Sequence, residues 1–242
     1  MIREEDDFME GHAACTFKEI VTSEPRLCQF SRNEFARLHV ALQRRLIKLI
    51  LVYLDLQVER LDFSRLELMR TTILQTQTSN LQLNIQEGFY LIREYDNIRF
   101  QASITAPKAY LYPVDLQNGT LFILEAGFKL GVTVYKQDSV ANRLEWLPNT
   151  AEEVYLELDQ LELPLFVRSR QVGDRIEPHG LNGSKKVKDM FIDAKVPPSL
   201  RDTTPLLVDT NGLVLWIVGL RRSKHAPVTN ESSRLLHMKL LL

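Results

Sequence analysis

Between Phe35 and Leu54 apolar residues return every three or four positions, at Leu38, Leu42, Leu46, Leu49, Ile50 and Tyr53. Past Thr78 the spacing changes to alternation, with Leu81, Leu83 and Ile85 on one face, then Gly88, then Phe89 to Tyr95 and Ile98 to Phe100. The first period is that of a helix with a buried stripe; the second is that of strands with one buried face. A chain that carries both is α+β, with a small antiparallel sheet closing a helical first domain.

Local signals place the helix starts. Phe8, Ala13, Ala14, Phe17, Ile20 and Val21 suit an amphipathic helix over 4–21, weakened by Gly11. Ser31-Arg-Asn-Glu34 reads as a capping box, with Phe30 and Phe35 as its hydrophobic staple, and predicts one long helix from Ser31 with Gln43, Arg44, Arg45 and Lys48 on its polar face. Ser64-Arg-Leu-Glu67 repeats the device with Phe63 and Leu68 as staple, and Leu66, Met69, Ile73 and Leu74 form the next stripe. The two helices are expected to pack antiparallel.

Short strand-like pieces follow at Tyr110–Leu116, Thr120–Ala126 and Val132–Tyr135, split by Asn118-Gly119, a strong hairpin signal, and by Gly127. Leu163 to Val167 predicts a strand with Pro164 near its start, where a missing donor is tolerable. Val187, Met190 and Phe191 predict a short helix, Pro197-Pro198 a second, and Leu206–Asp209, Thr210-Asn211-Gly212 and Leu213–Val218 a hairpin whose second strand is buried on both faces. The expected organisation is a helical domain over 1–105, a β-rich connecting segment over 106–162 and a smaller α+β domain over 163–242.

The 242 residues carry a formal charge of −1, but unevenly: residues 165–242 hold 13 Lys and Arg against 7 Asp and Glu, the rest 17 against 24. A basic module suggests contact with nucleic acid, because Lys and Arg release counterions condensed on a polyanion. Two cysteines, Cys15 and Cys28, without Cys-x-x-Cys spacing fit reduced thiols in a cytoplasmic protein. The longest apolar run, Leu46–Leu56, is interrupted by Lys48 and Asp55, and it is about half of the roughly 20 residues a membrane helix needs. The five histidines form no ligand spacing and no acid–base pair stands out, so neither a metal site nor a catalytic residue is assigned. The charged opening, Met1-Ile-Arg-Glu-Glu-Asp-Asp, reads as the middle of a longer protein.

Within 168–224 the basic residues gather in blocks: Arg168-x-Arg170 before Gly173-Asp174-Arg175; Gly183-Ser184-Lys185-Lys186-Val187-Lys188-Asp189; Arg201; and Pro205-Leu206-Leu207 leading to Gly219-Leu220-Arg221-Arg222 and Lys224. Arg168 and Arg170, alternate residues of a strand, are expected to point the same way and to grip phosphate through planar forks. Lys185, Lys186 and Lys188 follow a glycine-bearing loop onto a helix start, where backbone N–H groups also favour an anion. Arg221, Arg222 and Lys224 leave a buried strand into a loop. The bland alternatives are a solvated face for the lysines, ion pairs of Arg175, Arg168 or Arg170 with Asp174, Glu177 or Asp189, and an Arg201–Asp202 pair; Arg44 and Arg45 serve equally as an exposed helix face or as RNA contacts. Asp174 reads as a turn former.

The order and spacing of these blocks over 163–224 resemble the C-terminal domain of bacterial tRNA(Ile)-lysidine synthases, with a looser fit of 30–110 to that family's helical middle domain. The resemblance implies a parent enzyme that uses ATP and Mg to join lysine to the wobble cytidine of isoleucine tRNA with a CAU anticodon. It also implies that the basic residues named in these blocks grip that tRNA. The family's catalytic Ser-Gly-Gly-x-Asp-Ser loop does not occur in these residues. The chain is therefore expected to be inactive alone, to hold no cofactor, and to act with its own N-terminal catalytic domain. Two other readings stay open: a free-standing nucleic-acid-binding module, and an interaction module that forms a homodimer through the helix from Ser31.

Overall fold

The structure is a computed structural model that describes residues 2–58, 61–102, 108–117, 119–136 and 150–241. It divides into two compact units, Met1–Thr105 and Ala106–Leu242.

In the first unit, helices α1 (Ile2–Ile20), α2 (Arg32–Arg37), α3 (Val40–Tyr53) and α4 (Phe63–Leu74) accompany strands β1 (Thr22–Glu24), β2 (Leu27–Ser31), β3 (Asn80–Gln86), β4 (Phe89–Glu94) and β5 (Asn97–Ala102). The strands form an antiparallel sheet in the order β1-β2-β5-β4-β3. Helix α3 packs on α1 and α4. Its stripe of Leu46, Ile47 and Ile50 meets Leu66, Met69 and Ile73 of α4 and the sheet residues Cys28, Phe30, Leu91, Ile98 and Phe100, all nearly or fully buried.

Four local expectations are corrected. The long helix from Ser31 is broken after Arg37, because Leu38 leaves the helical region at ψ 147° and His39 starts a new helix, its Nδ1 accepting from Ala41 N. Gln43, placed on the polar face by its type, is instead buried: its Nε2 donates to Leu38 O and to Phe35 O, the latter also accepting from Leu38 N at the end of α2. Helix α4 is capped by Asp62, whose Oδ1 accepts from Arg65 N at 2.7 Å, not by Ser64. Phe63 and Leu68 are exposed at 64% and 50%, so they make no staple.

The second unit contains β6 (Leu111–Pro113), β7 (Gly119–Ile123), β8 (Phe128–Lys136), β9 (Glu153–Glu157), β10 (Phe166–Arg168), β11 (Arg175–Ile176), β12 (Lys185–Lys186), α5 (Val187–Asp193), α6 (Pro198–Arg201), β13 (Leu206–Val208), β14 (Val214–Ile217), β15 (Arg221–Arg222) and β16 (Arg234–Leu241). Its sheets run β15-β14-β13-β10-β6, β7-β8-β16-β9 and β11-β12. The 106–162 segment is not a separate connection. Strand β6 pairs with β10, and β16 lies between β8 and β9, so 106–162 and 163–242 complete each other's sheets. The reason is chemical: Leu235, Leu236 and Met238 of β16 are at most 1% exposed, and their backbone groups are satisfied from both sides.

The five-stranded sheet carries apolar residues on both faces. Val167, Leu207 and Leu215 join the four-stranded sheet's Leu130, Leu156 and Met238 in one core, while Leu206, Val208, Val214 and Ile217 join Ile176, Val187 and Phe191 in another. This double burial accounts for the unbroken apolar run in β14. The turn before β14 needs Gly212 at φ 82°, and Asp209 Oδ1 braces it by accepting from Asn211 N and Leu213 N. Asn118 lies outside the described residues; the β7–β8 hairpin turns through 124–127.

Candidate nucleic-acid interface

Strands β11 and β12 form a two-residue ribbon in which Arg175 faces Lys186 and Ile176 faces Lys185. Ile176 is 1% exposed and anchors the ribbon against Val187 and Phe191. Because side chains alternate across a ribbon, anchoring Ile176 inward turns Arg175 and Lys186 outward, side by side. Arg175 is held by Ser184, whose Oγ and carbonyl oxygen accept from Nε and Nη2 at 2.9 Å each. Lys186 caps α5 with its backbone only, and Lys188 follows one residue into the helix. Both lysines are exposed, and neither makes an ion pair among the described residues. Like charges directly opposite on a ribbon repel, so this cluster carries an electrostatic penalty that a polyanion would relieve.

Other expected contacts are engaged within the fold. Arg168 is turned inward: Nη1 and Nη2 grip Asp174 at 2.8 and 2.7 Å, with the two side chains only 7% and 9% exposed. Asp174 Oδ2 also accepts from Gln171 N, so it is both turn former and counterion. Arg170 diverges from Arg168 because β10 ends between them, and its Nε donates to Asp202 at 3.0 Å. Arg201 Nε donates to Val196 O. Lys185 pairs with Asp193, and Lys224 with Glu177, whose carboxyl is held below the usual range chiefly by that hydrogen bond. In the first unit Arg44 pairs with Glu67 at 2.9 Å and lies over the Phe63 ring, while Arg45 pairs with Asp6 and Glu10.

Strand β15 makes a second basic feature. Arg222 pairs with Trp216 and Arg221 with Ile217 on β14, and the loop after β11 is stitched alongside by a Pro178–Ser223 bridge. His179 N donates to Arg222 O at 3.0 Å and Arg221 Nη2 donates to His179 O at 3.1 Å. Between them opens a recess of about 380 Å³ lined by Thr150, Ala151, His179, Gly180, Leu220, Arg221 and Arg222. Among the described residues no carboxylate lines it. Partial burial, then Arg221, lowers the Arg222 pKa; partial burial, then Arg222 and Arg221, lowers that of His179. Sequence reasoning passed over His179, because it shows no ligand spacing; only the strand pairing brings it to the arginine pair.

Known proteins are similar to this chain over much of its length. A family model described as the TilS substrate C-terminal domain matches residues 165–238. The tRNA(Ile)-lysidine synthase of Shouchella clausii is 34% identical over 204 residues, covering 81% of this chain and 41% of the relative. That of Oceanobacillus iheyensis is 28% identical over 92% of this chain and 47% of the relative, and the bifunctional protein TilS/HprT of Listeria innocua is 28% identical over 92% and 33%. The chain thus spans less than half the length of these relatives. A crystal structure of a TilS C-terminal domain aligns with 55% of this chain and 96% of its own at 26% identity and a TM-score of 0.47. The chain belongs to the tRNA(Ile)-lysidine synthase family, and residues 165–238 are its C-terminal substrate domain.

Proposed function

We propose that this chain is the tRNA-gripping portion of a tRNA(Ile)-lysidine synthase, acting in the cytoplasm. The observation that carries the reading is the exposed trio of Arg175 and Lys186 on the β11–β12 ribbon and Lys188 in the first turn of α5, with no carboxylate paired to either lysine among the described residues. Lys and Arg with few exposed aromatic side chains suit recognition of A-form RNA by shape and backbone. Arg221 and Arg222 extend the basic surface of the same unit.

The parent enzyme's chemistry is activation of the wobble cytidine of isoleucine tRNA (CAU anticodon) by ATP with Mg, then attack by lysine. That chemistry falls to a catalytic portion bearing the Ser-Gly-Gly-x-Asp-Ser loop, a motif these 242 residues do not contain. Among the described residues no group of three or more His, Cys, Asp or Glu could hold a metal. This chain's part is to hold the tRNA body so that the anticodon reaches the catalytic centre.

Lys186→Ala with Lys188→Ala should weaken tRNA binding at least about tenfold, near 1.4 kcal/mol, with the melting temperature unchanged or slightly raised. For every phosphate that a variant no longer neutralises, the log–log salt slope should fall by about 0.9 on duplex. Titrations at several salt concentrations test this: a flat salt response, or a double variant that binds like the parent, refutes the reading. The chain mixed with tRNA, lysine and ATP should form no lysidine.

A further inference from the structure

The recess beside β15 poses an electrostatic problem. Two adjacent arginines and a histidine line one cavity of about 380 Å³, near the small end of the roughly 300–1,000 Å³ typical of ligand sites. Arg221 gives one donor to His179 O, and the Arg222 side chain makes no hydrogen bond or ion pair among the described residues. The nearest anchoring carboxylate on this loop, Glu177, is already committed to Lys224. Arginine on an edge strand such as β15 can serve only to discourage edge-to-edge pairing. That role asks for exposed charge, however, and does not account for Arg222 being half-buried against Arg221, where its charge is disfavoured.

We propose that the Arg221–Arg222–His179 recess is a site for a single phosphate group. A phosphate supplies what the recess lacks: anionic oxygens that accept from guanidinium donors in charge-assisted geometry. The His179 and Gly180 loop is pinned to β15 by backbone pairing, and Arg221 Nη2 donates to His179 O, so the wall of the recess and one of its arginines are held in place before the ligand arrives. A half-buried Arg222 left unneutralised beside Arg221 destabilises the free protein and is relieved on binding, which makes the site selective for an anion over a neutral group. This deepens the tRNA-binding reading and rests on it for the source of the phosphate, either an in-chain diester or a terminal monoester. The recess itself is defined without that reading.

The test uses the full chain and two probes. Inorganic phosphate is titrated while the ring signals of His179 are followed by NMR, and tRNA with and without its 5′-phosphate is titrated separately. Phosphate should shift the His179 signals saturably. Arg222→Gln, with the more exposed Arg221→Gln as second variant in case the first unfolds, should weaken that response at least tenfold. The same variants should weaken tRNA binding. If removing the 5′-phosphate costs as much as Arg222→Gln, the ligand is the terminal monoester; if it costs nothing while the variants still do, the ligand is an in-chain diester. Unshifted His179 signals, or folded variants that bind phosphate like the parent, overturn the site even if tRNA still binds through Lys186 and Lys188. A normal phosphate response without tRNA binding upholds the site and overturns the broader reading instead.

Discussion

At the scale of single residues, type alone did not separate gripping charges from structural ones. Arg168 and Lys186 look equally available in the sequence, yet one is buried in a bidentate pair and the other stands in solvent. Removing one partner of a buried pair strands the other charge, so Arg168→Ala should destabilise the second unit by about 3–5 kcal/mol, read by thermal melting. Any loss of tRNA binding by that variant should vanish once the folded fraction is counted. The basic blocks were legible as a set, since position and spacing show in the chain. Which members face outward depends on acids brought together by folding: Asp174 for Arg168, Asp202 for Arg170 and Asp193 for Lys185. In the first unit Glu67 illustrates the same dependence, its carboxyl lowered from about 4.5 to about 2, first by the hydrogen bond from Arg70 and then by that from Arg44. A carboxyl depressed on folding stabilises the native state above its unfolded value and loses that contribution as pH falls toward its folded value. The melting-temperature gap between the parent and Glu67→Gln should therefore be full at neutral pH and close between about 4.5 and 2. A gap independent of pH would show that the charge is not what matters.

Individual elements were legible where the signal is local. The cap at Ser31 was expected, and its Oγ accepts from Asn33 N and Glu34 N at 3.2 and 3.3 Å, with Phe30 and Phe35 packed behind it at 5.4 Å between ring centroids. The reciprocal half of the cap was not legible, because it comes from Asp96 on the β4–β5 turn: Oδ1 accepts from Asn33 N, while Oδ2 accepts from Ser31 Oγ. Ser31→Ala should cost about 1 kcal/mol in thermal or urea unfolding. Asp96→Asn should cost a comparable part of it, because both side chains serve the same helix start. The double variant should then fall short of the sum of the two. Strictly additive losses would mean that Asp96 acts elsewhere. The break at Leu38 and His39 escaped the sequence reading for a related reason. The apolar spacing runs through it unbroken, and what braces the break is Gln43, whose side chain donates to Phe35 O and Leu38 O only once α2 and α3 are folded together.

At the scale of the whole molecule, the sequence divides most visibly by charge, near residue 165, but the second unit does not divide there. Strand β16 is eight residues long and is flanked on both sides, by β8 over its full length and by β9 over Leu235–Lys239. Both neighbours come from 106–162, as does β6 at the edge of the other sheet. Residues 163–242 expressed alone would leave Leu236 and Met238 without the core they share with Leu130, Val132, Val154 and Leu156. They would also expose both edges of β16, a ready template for pairing with other chains. The prediction is that residues 163–242 alone aggregate or stay unfolded, whereas 106–242 folds cooperatively and keeps the salt-dependent tRNA binding of the full chain. Circular dichroism melts and sedimentation of the two pieces decide it. A soluble, cooperatively melting 163–242 piece would mean that the β11–β12 ribbon and its basic residues are supported by the five-stranded sheet alone, and the four-stranded sheet would then need a different purpose.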